Sequence, residues 1–412
     1  MLIEFSVKNF LSFKNLVTLS MEKGNGDENS NNIISNEFGE FLKTAAIYGA
    51  NASGKTNLLK AFTAAIIMVR SSNYIPLGAK WNLIKPFMFD EDSKNEPTEF
   101  EFVFISNNIK YKYYIQTDAE KVYKESLDAY YSQKPTNLFK RKDTNVYEFN
   151  SDRALLESIA SKNTENKLFL VTAATWNYLK VKDAYLWFMN VIDTYDSFNT
   201  IFTKDIIDYK NDNELRNFTI KLLREADIHI NNILVDYDLV SESKKDVYTI
   251  DNNPVLNNLN IQIEHEVLTD TNDVKKYNLS FNEESSGTKV LFTFAPYLKR
   301  AFENNRVIIV DEFEKSMHPA LIEFIIKLFN NKKINKANSQ LIITTHAPNL
   351  LNLELLRRDE IWFTEKNNKN GVSDLYPLDS FSVRKEENVQ KGYLNGRYGA
   401  IPFIKDIDLW EE

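Results

Sequence analysis

Apolar and polar residues alternate through the first twenty positions, in LIEFSVKNF and LVTLS, which predicts two short strands joined by a turn. The polar stretch Gly24 to Asn32 reads as a loop. Thr44-Ala45-Ala46-Ile47-Tyr48 is a short apolar run closed by Gly49, as a buried strand would be. Leu58, Leu59, Phe62, Ala65 and Ile66 then recur at helical spacing. Alternation returns from Pro97 to Gln116 (FEFVF, YKYYI) and predicts an antiparallel hairpin turning at Ser106-Asn107-Asn108.

From about Ala154 to Ile228 the pattern is mainly helical. Tyr178, Val181, Tyr185, Phe188 and Ile192 step by three and four residues, an apolar stripe read as core. Strand-like segments follow at INNILVDYDLV and NIQIEHEV. In the last third, VIIV runs into Asp311-Glu312 and a helix, LIEFIIKLF; LIITT ends at His346; EIWFTE precedes a Gly- and Tyr-rich segment. Helices alternating with apolar strands at both ends predict a mostly parallel sheet. No heptad pattern is sustained, so no long coiled-coil arm is expected.

Composition narrows the partners. The chain has 412 residues, 43% hydrophobic and 13% aromatic, enough for a large core in two or three units. Fifty basic residues face 58 acidic ones, net −8, so contact with a polyanion would need a local patch. Lys140-Arg141-Lys142 and Lys332-Lys333 are the basic clusters; they read first as solvated faces, with a DNA groove in an assembled dimer as the alternative. The absence of cysteine excludes disulfides and thiolate chemistry. No secretory pattern and no run of ~18 apolar residues is present, so the expectation is a soluble cytoplasmic protein without a membrane partner.

Four motifs carry chemistry. Gly49-Ala50-Asn51-Ala52-Ser53-Gly54-Lys55-Thr56 fits G-x-x-x-x-G-K-[ST], in which backbone N–H groups and a helix N-terminus cradle phosphates. Lys55 would reach the β- and γ-phosphates and Thr56 would offer its hydroxyl to Mg²⁺; Asn51, Ser53, Gly54 and Asn57 complete the nucleotide-binding set. Asp311, ending an apolar strand, would hold Mg²⁺ through water, and Glu312 would polarise the attacking water. His346, closing LIITT, can sense the γ-phosphate. Ser285-Ser286-Gly287, followed by Thr288 at the start of VLFTFAPYL, forms an anion site at a helix N-terminus.

In this order the motifs resemble the nucleotide-binding domains of the SMC, RecF and ABC ATPases, and so do Lys8-Asn9-Phe10 and Ser12-Phe13-Lys14. Within that class the chain is similar to bacterial defence-island ATPases of the RloA and AbiLi group, with the PARIS, Septu and OLD ATPases more distant. The carrying segments are PFMFDED, DEFEKSMHPAL, THAPNLL and GYLNGRYGAIPF. The resemblance implies an α/β fold, an ABC/SMC-type P-loop ATPase head split in sequence by a mixed β and helical insertion. Residues 1–120 and 276–412 would form the head and 121–275 the insertion. It also implies a head-to-tail homodimer, or a higher oligomer, around two ATP molecules, each Lys55 site closed by the partner's Ser285-Ser286-Gly287. Ser286 and Thr288 depart from the usual Leu-Ser-Gly-Gly-Gln, which points to slow turnover. Lys315 and His318 lie where this class communicates across the dimer.

The resemblance leaves three functions to weigh. One is an ATP-driven sensor of antiphage defence and abortive infection that controls a separately encoded effector, such as a nuclease. The second is a RecF-like DNA-repair clamp. The third, a transport subunit, is ranked last because its head would be more compact. The segment after His346 is too short for an added Toprim nuclease domain. Asp236-Tyr-Asp238 and Asp406-Ile-Asp408 have no carboxylate cluster around them, and His229 and His265 read as structural.

Overall fold

The computed structural model describes residues 1–195, 203–239, 256–315, 317–384 and 387–402. Phe403, Asp406 and Asp408 lie outside them. The chain opens with β1 (Leu2–Lys8), β2 (Val17–Ser20) and a small hairpin, β3 (Ile33–Asn36) with β4 (Gly39–Leu42). β5 (Thr44–Tyr48) feeds α1 (Lys55–Ser71), and the short α2 (Glu91–Asn95) follows. Next come β6 (Thr98–Ser106), β7 (Ile109–Thr117), β8 (Val122–Tyr130), β9 (Thr136–Asp143) and β10 (Val146–Glu148). Helices α3 (Arg153–Ala160), α4 (Phe169–Thr175) and α5 (Lys182–Asn190) lead to β11 (Ile192–Tyr195). Helices α6 (Thr203–Asn211) and α7 (Asn213–Glu225) precede β12 (Asn232–Leu239), β13 (Leu256–Leu268) and β14 (Val274–Ser280). The remainder is α8 (Ser286–Asn304), β15 (Val307–Val310), α9 (Pro319–Asn330), β16 (Gln340–Thr344), β17 (Ile361–Lys366), β18 (Ser373–Pro377) and α10 (Val389–Leu394).

Two sheets organise the core. The first is antiparallel, in the order β10-β9-β8-β7-β6-β1-β2; the second runs β11-β15-β16-β5-β17-β18, parallel except for β18. Strands β5, β15 and β16 are buried along their whole length, which is why they read as unbroken apolar runs. Alternate side chains serve opposite faces. Val307 and Ile309 join the cluster that contains α1, whereas Ile308 and Val310 join that of α8 and α9. Helix α1 is clamped between the sheets, with Phe62 stacked on Phe5 of β1 at 3.7 Å between ring centroids. The result is the expected α/β P-loop ATPase fold. No helix among the described residues is long and apolar enough to cross a membrane.

The hairpin forms where the sequence predicts it. Asn107 and Asn108 both take positive φ (49° and 56°), the two-residue turn whose twist matches the strands. The helical reading of 154–228 needs one correction, because Ile192 opens β11, which pairs in parallel with β15. Arg70 of α1 fixes that strand through the Ile192 carbonyl at 2.5 Å and the Asp193 carboxylate at 3.1 Å. Strands β8 to β10 and β11, all within 121–275, pair into these two sheets with strands from either end of the chain.

The basic cluster at Lys140-Arg141-Lys142 is also corrected. Arg141 is buried, donating to the Lys167 carbonyl at 2.9 Å, and its guanidinium lies 3.9 Å from buried Glu125. Lys142 pairs with Glu148. The run therefore does not present three free charges to a polyanion.

Candidate active site

The phosphate loop is braced from behind. A Cβ on Gly49 would stand 2.5 Å from the Thr364 carbonyl oxygen, and one on Gly54 (φ 126°) 2.7 Å from Ser373 Oγ. Only glycine allows that approach. Ser53 Oγ shares a 2.6 Å hydrogen bond with Thr364 Oγ1, and Ser373 Oγ donates to the Ser53 carbonyl at 2.6 Å. Thr364 on β17 and Ser373 on β18 thus fix the loop, though no motif marked them. Asn51 is exposed, and Thr56, half-buried, is the second residue of α1. The Asn57 amide donates to Ser12 Oγ at 2.8 Å and ties α1 to the β1–β2 turn.

Lys55 is buried, and its ammonium donates to the carbonyls of Gly49 (2.7 Å) and Ala50 (3.0 Å). Burial lowers its pKa to about 8, against the attraction of Glu314, Asp311 and Glu312. Three carboxylates therefore share the field of one lysine.

A single hydroxyl organises the acidic strand end. Thr344 Oγ1, on β16, donates to Asp311 Oδ1 and accepts the Glu312 N–H at 2.8 Å. Glu312 takes a left-handed backbone (φ 45°), sparsely populated for a residue with a Cβ. The chain turns back at once, and the Phe313 N–H reaches the Thr344 carbonyl at 3.0 Å. Asp311 is buried, whereas the Glu312 carboxylate is exposed, 3.6 Å from Lys315 Nζ.

Glu314 is a functional candidate the motif reading missed. Its Oε1 accepts the His346 N–H at 2.5 Å, and its buried Oε2 has no hydrogen-bond partner among the described residues. Of the three carboxylates, it favours the charged Lys55 most. The spacing DEFE was the available signal, one residue beyond the acidic pair. The His346 side chain is largely exposed, and partial burial and then the Lys55 ammonium lower its pKa, which disfavours the imidazolium.

Ser285, Ser286 and Gly287 stand apart. Ser285 caps α8 by accepting the Thr288 N–H at 3.1 Å, and both serines are exposed. No described hydrogen bond or ion pair joins them to the phosphate loop. His265 does more than fill space: its ring bonds the His229 carbonyl (3.0 Å) and Glu284 (2.7 Å), linking β13 to the start of α8. His318 caps α9 through the Ala320 N–H at 3.2 Å. Asp236 pairs with Lys210 at 2.8 Å, and Asp238 accepts from Asn258 at 2.7 Å.

With this geometry in hand, one family profile, described as "AAA domain, putative AbiEii toxin, Type IV TA system", matches residues 45–352. The chain belongs to this AAA-domain family. The matched span, more than half of the chain, runs from the strand that feeds the phosphate loop to just past His346. This AAA-domain protein is also similar to a solved SMC head bound to the C-winged helix domain of ScpA. That likeness has 14% identity and a TM-score of 0.39, and covers 91% of this chain and 97% of the other. No curated protein matches the sequence significantly.

Proposed function

We propose that this AAA-domain protein binds ATP with Mg²⁺, hydrolyses it slowly, and closes as a homodimer around the nucleotide. Closure would let it act as sensor and regulator of a separately encoded effector in antiphage defence. The observation that carries the reading is convergence: β5, β15 and β16 lie side by side and deliver Lys55, Asp311, Glu312, Glu314 and His346 to one sheet edge. Ligands of parallel α/β sheets bind at that edge.

The residues fit a magnesium–triphosphate. The loop leaves no room for a Cβ at Gly49 or Gly54, and a carboxylate oxygen of Glu314 lies buried without a partner among the described residues. Loop N–H groups, Lys55 and Thr56 would hold the phosphates; Thr56 and Asp311 would hold the metal. Bound there, Mg²⁺ neutralises charge that develops on the phosphates. The exposed Glu312 carboxylate is the group placed to take a proton from water. His346 would donate one hydrogen bond to a phosphate oxygen. Ser285-Ser286-Gly287 of a second copy would supply the remaining contacts; within one chain Ser285 caps α8 and Ser286 and Gly287 open it.

We place the head in residues 1–120 and 276–412 and the insertion in 121–275, with β8 to β11 as its contribution to the sheets of the head. The family's description as an AbiEii toxin of type IV toxin–antitoxin systems supports a defence setting. Lys55→Ala and Glu312→Gln test the ATPase reading. The first should abolish ATP binding, and the second should keep binding while lowering hydrolysis by roughly 10²- to 10⁴-fold. Normal hydrolysis by Glu312→Gln would remove Glu312 as the base. Tight, ATP-dependent binding to gapped or duplex DNA would favour the RecF-like repair reading instead.

A further inference from the structure

One aromatic ring beside the phosphate loop is held in solvent by a rigid frame. Phe89 is 72% exposed, while Phe87, two residues earlier, is 1% exposed. The segment cannot simply swing inward, because both flanks are tied down. The Phe87 N–H donates to Asn9 Oδ1 at 3.0 Å, and Asn9 Nδ2 donates to the Ser93 and Glu96 carbonyls, each at 2.8 Å. Asp90, the next residue, caps α2 through the Ser93 N–H (3.0 Å) and pairs with Lys14 at 3.1 Å. Gly371 (φ 72°) lets the turn after β17 close on one edge of the ring, where a Cβ would stand 2.6 Å from Phe89 Cδ2.

The ring forms part of the wall of a cleft of about 810 Å³, shared with Ala50 to Ser53 of the phosphate loop. Asn368 and Asn370 line the same cleft, and Lys366 Nζ lies 5.6 Å from the ring centroid. A rigid, exposed aromatic face, amide side chains and a phosphate cradle in one cleft match the parts of a nucleoside triphosphate. Any base presents a flat π-face to stack, and a preorganised ring loses little entropy in accepting it.

We propose that Phe89 is the stacking platform for the nucleobase, with Asn368 and Asn370 supplying amide groups to the base edge or the ribose. This assignment rests on the reading of Gly49 to Thr56 as a triphosphate site. It also gives PFMFDED and Asn9 a joint purpose, which is to hold one ring in place.

Titration calorimetry of the full chain with ATP and with inorganic tripolyphosphate, both with Mg²⁺, tests it. Phe89→Ala should weaken ATP binding by roughly 10- to 100-fold and leave tripolyphosphate unchanged. Phe89→Tyr should keep wild-type affinity for both. Lys55→Ala should weaken both ligands. Because Phe89 is exposed, thermal melts of its variants should match wild type. If Phe89→Ala binds ATP like wild type while Lys55→Ala does not, the platform is wrong and the phosphate loop stands. Equal weakening of both ligands by Phe89→Ala would mean that the ring merely packs the loop, which also overturns the proposal. If Lys55→Ala changes neither ligand, the triphosphate reading itself fails.

Discussion

Thr344 and Glu314 carry much of the site's geometry, yet the motifs they stand in gave neither of them a role. Thr344→Val keeps the shape of the side chain but strips both hydrogen bonds from the Asp311-Glu312 turn. The buried Asp311 carboxylate loses its donor, so a stability loss of about 1–3 kcal/mol is expected in chemical denaturation. Hydrolysis should fall while ATP still binds.

Lys55 gives a pH signature. With a pKa of about 8, its ammonium is present below that pH and lost as pH rises through it. A bound triphosphate favours the charged form, so above pH 8 ATP binding must take up a proton and weaken as pH rises. Calorimetry in two buffers of different ionisation enthalpy should show uptake growing through pH 8, and none with Lys55→Arg. Glu314→Gln removes the carboxylate that most favours the charged lysine, so the onset of uptake should move to lower pH. An unchanged onset would detach Glu314 from Lys55. The sequence singled out Lys55, Asp311, Glu312 and His346 as candidates because their motifs are local. It hid Thr344, Thr364 and Ser373 because their partners, the Asp311-Glu312 turn and Ser53 of the phosphate loop, lie far from them in sequence.

At the level of elements, runs with one clear period were legible. Strands β5, β15 and β16 are buried on both faces, and the Asn107-Asn108 hairpin has turn chemistry and alternation together. Strand β11 was not legible. It has only four residues, and Ile192 extends the stripe of α5 in register. The buried Glu125–Arg141 pair likewise makes a charged run in sequence into an internal tie.

The cap of α8 separates a structural role from a binding role. Ser285→Ala should cost about 0.5–2 kcal/mol as a lost N-cap. Ser285→Asp should keep the cap, because aspartate caps as well as serine. It would also place a negative charge where a partner's phosphates are proposed to sit. Near wild-type melting with abolished ATP-dependent dimerisation is the expected result, read by thermal denaturation and sedimentation. Dimerisation as in wild type would free Ser285 of any contact in trans.

For the whole molecule, the residues proposed to share one reaction stand at two places on the chain. Lys55, the carboxylates and His346 gather at the sheet edge, whereas exposed Ser285 and Ser286 open α8 without bonds to the phosphate loop. In the proposed function a second copy would join them, and nucleotide occupancy would then be readable by an effector. Sedimentation velocity of Glu312→Gln, with and without ATP and Mg²⁺, tests this most directly. The account predicts a monomer without nucleotide and a stable dimer with it, the dimer being lost in Glu312→Gln combined with Ser285→Asp. A protein that binds ATP with full affinity yet sediments as the same species in both conditions would contradict it.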